Sequence, residues 1–129
     1  MVMTNFEKVK TFMESFGQEV KDKPKLPDEE IVDLRLNLIN EEFVELLTAT
    51  NESDLVSIAD ALSDLLYVVY GAGHAFGLDL DKCFQEVHES NMSKLDNNGK
   101  PIYRVDGKVL KSDTYRPPNL KEILFTEGE

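Results

Sequence analysis

Residues 38–77 read LINEEFVELLTATNESDLVSIADALSDLLYVVYGAGHAFG, and two facing helices can be read from them. Leu38 and Leu46 continue a helical stripe begun by Ile31 and Leu34, so one helix is expected from about Asp28 to Thr50. Asp28, Glu29 and Glu30 crowd its first turn, where the helix dipole favours anions. Asn51 and Glu52 form a short turn. Ser53 or Asp54 then caps a second helix that runs to Phe76 and stops at Gly77. So short a connection folds the two helices back antiparallel.

The stretch from Leu55 to Phe76 is apolar around most of its circumference, the pattern of a helix buried on several sides. A chain of 129 residues cannot easily surround it, so burial against a second copy is expected. Its polar residues, Ser57, Asp60, Asp64, Tyr67 and His74, fall in one stripe, which marks either a solvated groove or a site.

Outward from this pair, a first helix is expected from about Thr4 to Val20. Thr4 and Glu7 fit a capping box, and Phe6, Val9, Phe12, Met13 and Phe16 give an apolar face. Lys21–Pro27 is a linker. A fourth helix starts at Asp79 or Asp81 and ends near Leu95, with Leu80, Phe84 and Val87 inward. DNNG at 96–99 breaks the chain, Asp106-Gly107 has the chemistry of a two-residue hairpin turn, and 120–125 forms a last helical turn or two. The fold expected is a single all-α domain over 1–129. It comprises an antiparallel helical bundle (1–95) completed by oligomerisation, and a small C-terminal β-hairpin arm and tail (96–129).

The chain has 25 acidic against 14 basic residues, a net charge of −11. That argues against a nucleic-acid partner, which recruits basic patches. It leaves room for a phosphorylated substrate where a bound cation reverses the local sign. Cys83 is the single cysteine, expected to be buried and inert, and it fits a reducing, cytoplasmic setting. The first residues lack a secretory pattern, and no apolar run is expected to reach the roughly 20 residues of a membrane span.

Glu41, Glu42 and Glu45 lie three and four residues apart on one helix face, and Asp60 and Asp64 four apart on the next. About a turn centred between Glu52 and Ser53, Glu45 is level with Asp60 and Glu41 with Asp64. This arithmetic fixes height along the helices, not rotation about them. Facing carboxylates repel and lose hydration, so they persist when protonated, paired or metal-bound. An all-oxygen set favours Mg²⁺, with Mn²⁺ as substitute, over zinc. A solvated acidic face is the alternative.

LINEEFVELL and SIADALSDLLYVVYGAGHAFGLDL, with FMESFGQEV, EVHESNMSKLDNNGKPIYRVDGKVLK and TYRPPNL, resemble the MazG-like all-α nucleoside triphosphate pyrophosphohydrolases. The closest branch is the one labelled phosphoribosyl-ATP pyrophosphohydrolase-like, and the superfamily is related to the dimeric dUTPases. The resemblance implies Mg²⁺-dependent cleavage of a (d)NTP to (d)NMP and pyrophosphate, in nucleotide housecleaning. It implies that Glu42, Glu45 and Asp64 are metal ligands and that Glu41 is a ligand or the water-activating base. Where the family commonly has ExxD, Ala61 stands three before Asp64, and Asp60 is the substitute expected. Asn91 and Lys94 match positions that meet the nucleotide, and Tyr67 could stack on a base. Arg35 could hold an acid or a phosphate, with a structural salt bridge favoured. The partners implied are the nucleotide and further copies of the chain, as a homodimer or dimer of dimers. Two alternatives stand beside this reading: phosphoribosyl-ATP hydrolysis in histidine synthesis, and a non-catalytic helical metal-binding or interaction module.

Overall fold

Thr4 opens the first helix, α1 (Asn5–Ser15), with a reciprocal capping box: its hydroxyl accepts from the Glu7 amide at 3.1 Å, and its own amide donates to the Glu7 carboxylate at 2.7 Å. The computed structural model describes residues 2–125. Helix α1 ends five residues earlier than the apolar pattern suggested, because Gly17 takes a left-handed φ of +74° and turns the chain.

Helix α2 (Glu29–Asn51) and helix α3 (Leu55–Phe76) form the antiparallel pair that the short turn dictates. Ser53 sits at the turn with φ +54°, and the Asp54 carboxylate caps α3 by accepting from the Val56 and Ser57 amides and the Ser57 hydroxyl. At the other end Gly77, at φ +71°, closes α3, and its amide donates to the His74 carbonyl.

Helix α1 lies on α3. Phe6, Val9 and Met13 are buried there, and His74 stacks on the Phe6 ring at 3.7 Å while its Nε2 lies 2.7 Å from the Phe6 carbonyl oxygen. Part of the polar stripe on α3 thus faces α1 rather than a groove: Tyr67 meets Phe12 edge-on, at 5.5 Å between ring centres. The segment after α1 runs back along the end of α3, with the Lys21 and Lys25 amides donating to the His74 and Phe76 carbonyls.

Little of α3 is covered within its own chain. The buried residues are Ala61, Gly71, Gly73, His74 and Ala75, while Leu55, Val56, Leu62, Leu66 and Val69 stay exposed. By length and composition α3 could cross a membrane, which corrects the expectation that no segment approaches a span: Asp60 and Asp64 are its only acids in 22 residues.

Spatially the chain divides into two compact units, Met1–Leu80 and Asp81–Glu129. The second carries nearly all of helix α4 (Leu80–Met92), the strands β1 (Ile102–Tyr103) and β2 (Val109–Leu110), and helix α5 (Leu120–Leu124). The strands pair antiparallel, Ile102 with Leu110 and Tyr103 with Val109. The hairpin turn is one residue longer than Asp106-Gly107 alone implies. The Arg104 amide donates to the Lys108 carbonyl, and the three intervening residues turn with Gly107 at φ +91°. Within this unit residues 112–119 strap onto α4. The Ser112 and Thr114 hydroxyls donate to the Leu95 carbonyl, Ser90 to the Arg116 carbonyl, and the Arg116 guanidinium reaches Glu86 and Glu89.

Two glycine substitutions separate backbone strain from crowding. A Cβ on Gly17 meets open space, whereas one on Gly77 would lie 2.0 Å from the Lys23 carbonyl oxygen. Gly17→Ala should cost about 1–2 kcal/mol of left-handed strain, and Gly77→Ala distinctly more, read as the shift in urea midpoint. Asp54→Ala should lower the thermal midpoint at neutral pH. The Ser57 hydroxyl and amide hold the Asp54 carboxyl below its ordinary 3.8. Its contribution is therefore present above that value and is lost as pH falls through the lowered folded-state pKa, so the variant's deficit should close in acid.

Candidate metal centre

Glu42 and Asp64 stand equally far in sequence from Ser53, so the antiparallel seam brings them level, and Glu45 lies on the next turn of α2. Carboxylate oxygens of Glu42, Glu45 and Asp64 lie within 4.8 Å of one another. Glu42 and Asp64 are half-buried and Glu45 is exposed, so the triad opens to solvent on one side.

The electrostatics are unfavourable for three bare anions. The Oε2 atom of Glu42 is closed off from solvent and has no hydrogen-bond partner. Desolvation pushes the Glu42 carboxyl above its ordinary 4.5, and the charges of Glu45, Asp64, Glu41 and Asp60 add to the rise in that order. An orphaned carboxylate oxygen facing two further carboxylates is what a cation would satisfy. The donors are all oxygen, and a divalent hard ion such as Mg²⁺ fits that chemistry, since it takes a few carboxylates and leaves positions for waters and phosphate.

Glu41 and Asp60 are exposed and lie outside the triad. Ala61, three before Asp64, is buried. Asp60 and Ala61 sit about 40° and 60° to opposite sides of Asp64 around the helix, and burial falls on the Ala61 side. Tyr67 is one turn along α3 from Asp64, its ring set against Phe12. Asn91 and Lys94 belong to the second unit, Asn91 exposed and Lys94 half-buried. Cys83 is half-buried.

Arg35 corrects an expectation. It makes no ion pair among the described residues; its Nη2 donates instead to the Gln18 side-chain carbonyl at 3.1 Å. Gln18 carried no signal in the sequence, because a lone glutamine after a helix end fits no motif.

Residues 9–91 match the family model described as phosphoribosyl-ATP pyrophosphohydrolase, so the chain belongs to that family of pyrophosphohydrolases, part of the MazG-like superfamily. It is 38% identical over 113 residues to an uncharacterized protein of Acanthamoeba polyphaga mimivirus, a match covering 84% of this chain and 43% of that one. The chain thus spans under half the length of this curated relative. A crystal structure from Exiguobacterium sp. 255-15, described as a proposed NTP pyrophosphohydrolase, shares 27% identity and a TM-score of 0.50, over 94% of this chain and 92% of that one.

Glu42→Gln tests the charge balance of the triad. Because the folded-state pKa of Glu42 is raised, its ionisation costs folded stability as pH climbs from the ordinary 4.5 through the raised value. In chelator at pH 7 the variant should melt above the parent, and the gap should vanish below pH 4.5. Added Mg²⁺ should raise the parent's melting temperature and leave the variant's nearly unchanged.

Proposed function

We propose that this chain is a Mg²⁺-dependent nucleoside triphosphate pyrophosphohydrolase, converting (d)NTP to (d)NMP and pyrophosphate in nucleotide-pool housecleaning. The observation that carries the reading is the convergence of Glu42, Glu45 and Asp64 around an orphaned carboxylate oxygen, in a member of a pyrophosphohydrolase family.

Glu42, Glu45 and Asp64 would hold the ion. When bound, it neutralises the phosphates and acidifies a coordinated water. Hydrolysis then forms one bond from water oxygen to the α-phosphorus and breaks the bridge to the β-phosphate, which leaves as pyrophosphate. Glu41, exposed at the edge of the triad, is placed as an additional ligand or as the base that takes the water proton. Asp60 contributes negative charge from outside the triad and is a weaker candidate ligand. Asn91 and Lys94 are proposed as nucleotide contacts on the family resemblance, with Lys94 a point charge for phosphate.

A homodimer or dimer of dimers completes the reading. Leu34, Leu36, Phe43, Val44 and Leu47 on α2, with Leu55, Val56, Leu62, Leu66 and Val69 on α3, leave apolar surface that a lone chain rarely exposes in such quantity. A stable monomer in light scattering would remove this part.

The family description favours one second reading, phosphoribosyl-ATP as substrate, which loses pyrophosphate by the same bond cleavage.

Pyrophosphate release should be measured against a panel of NTPs, dNTPs and phosphoribosyl-ATP, with Mg²⁺ and with excess chelator. Metal-dependent pyrophosphate and nucleoside monophosphate are expected, and Mn²⁺ should support turnover. Glu45→Gln and Asp64→Asn should each lower kcat/KM at least about 100-fold, as loss of electrostatic stabilisation does, without lowering the melting temperature. Orthophosphate as product would show the cleavage position to be wrong, and full activity in both variants would remove the metal-site assignment.

A further inference from the structure

Arg35 is a buried cation with almost nothing to hold its charge. It is 7% exposed, no carboxylate reaches it among the described residues, and its Nε is closed off from solvent without a hydrogen-bond partner. A buried donor left unmade is costly, and a buried charge more so. The sequence nevertheless makes room for it. Gly71 on α3 leaves the space the guanidinium occupies, since a Cβ there would fall 2.8 Å from Nη1. Burial draws the guanidinium's pKa down, yet arginine keeps its proton.

Arg35 lines a cavity of about 270 Å³ together with Gln18, Phe12, Leu38, Tyr67 and Gly71. The volume lies just below the roughly 300–1,000 Å³ of drug-sized sites and suits a planar heterocycle. Its walls are mainly apolar and aromatic, with polarity confined to Arg35, Gln18 and the Tyr67 hydroxyl. The Gln18 carbonyl is already engaged by Arg35 Nη2, so its amide –NH₂ remains. The free groups of this pair, Arg35 Nε–H and the Gln18 amide, are both donors.

Position ties the cavity to the carboxylates. Arg35 and Gly71 are symmetric about Ser53, as Glu42 and Asp64 are, and lie two helical turns, about 10 Å, further along the same seam. Ribose and phosphate put a separation of this order between the base of a nucleotide and its polyphosphate.

We propose that the cavity between α1, α2 and α3 is the nucleobase subsite, and that its paired donors select bases presenting carbonyl oxygens (guanine, uracil, thymine or cytosine) over adenine. Arginine matched to the O6/N7 edge of guanine is a strong instance of this pairing. The Tyr67 ring, its plane fixed by Phe12, supplies the flat wall. This inference rests on the pyrophosphohydrolase reading for its substrate class.

Free nucleosides separate the two. Guanosine, uridine, thymidine, cytidine and adenosine should be titrated into the full chain in chelator, followed by protein NMR shifts, so that the carboxylates and turnover play no part. Saturable binding is expected, with adenosine at least tenfold weaker than the best oxo-nucleoside. Gln18→Leu, at an exposed position, should fold normally and weaken that nucleoside at least tenfold. Arg35→Met should do the same; should it fail to fold, Gln18→Leu decides. Adenosine binding as well as the others, no nucleoside binding, or binding untouched in folded Gln18→Leu each overturns the inference. If triphosphates are cleaved and Gln18→Leu leaves the base ranking unchanged, the subsite is wrong and the activity stands. If nucleosides bind in the stated pattern and no triphosphate is cleaved, the activity is wrong and the subsite stands.

Discussion

The register of the α2–α3 hairpin is the constraint on which the rest depends. Ser53 in the left-handed region and the Asp54 cap fix where α2 stops and α3 starts. From that point antiparallel geometry pairs Glu42 with Asp64 and Arg35 with Gly71, one pair two turns beyond the other. A one-residue change in the turn would rotate each facing residue by about 100° and separate both pairs. The cap and turn are therefore as much a part of the site as the carboxylates.

That seam carries two unmet charges of opposite sign. Glu42 has a sealed, unpartnered oxygen at one height, and Arg35 a sealed, unpartnered nitrogen at another. They do not neutralise each other, because about two turns of helix separate them. Each would be cheaper as an apolar residue in the bare chain. Stability comes from elsewhere: the α1 face buried on α3, the Phe6–His74 stack, and the glycine-closed end of α3 held by the segment after α1. Concentrating destabilising groups where ligands would bind, and stabilising ones away from them, is the pattern of a site optimised against stability.

Much of this was legible in the sequence because it is local. Capping residues, the glycine at 77 and the apolar period set the bounds of α2 and α3 to within a residue, since each signal acts over one turn of chain. The level meeting of acids followed from counting outward from the turn. Rotation did not, and there the reading of Asp60 parted from the geometry: helix phase about the axis depends on which side chains pack, and Ala61 is buried. The salt bridge expected of Arg35 failed for a related reason. Its neighbour is set by how α1 ends, and that end moved from Val20 to Ser15 because Gly17 turns the chain, leaving Gln18 to meet the guanidinium. The hairpin turn lengthened by one residue because Gly107 alone takes the left-handed position, where Asp106-Gly107 had suggested a two-residue turn.

The alanine at 61 ties these threads together. A carboxylate there would be forced among buried groups on the packed side of α3, adding a further charge to a seam that already holds Glu42 above its ordinary pKa. With alanine the same face packs closely, and the negative charge is moved to Asp60 on the exposed side, where water screens it. The triad keeps three carboxylates instead of a larger set, and a hard divalent ion held by so few would depend on water and phosphate oxygens to complete its shell. Ion and triphosphate would then bind more tightly together than either does alone, since each supplies what the other lacks. A site of that kind gains its full charge balance only when the nucleotide arrives, which is consistent with a protein that leaves Glu42 and Arg35 both unmatched in its bare form.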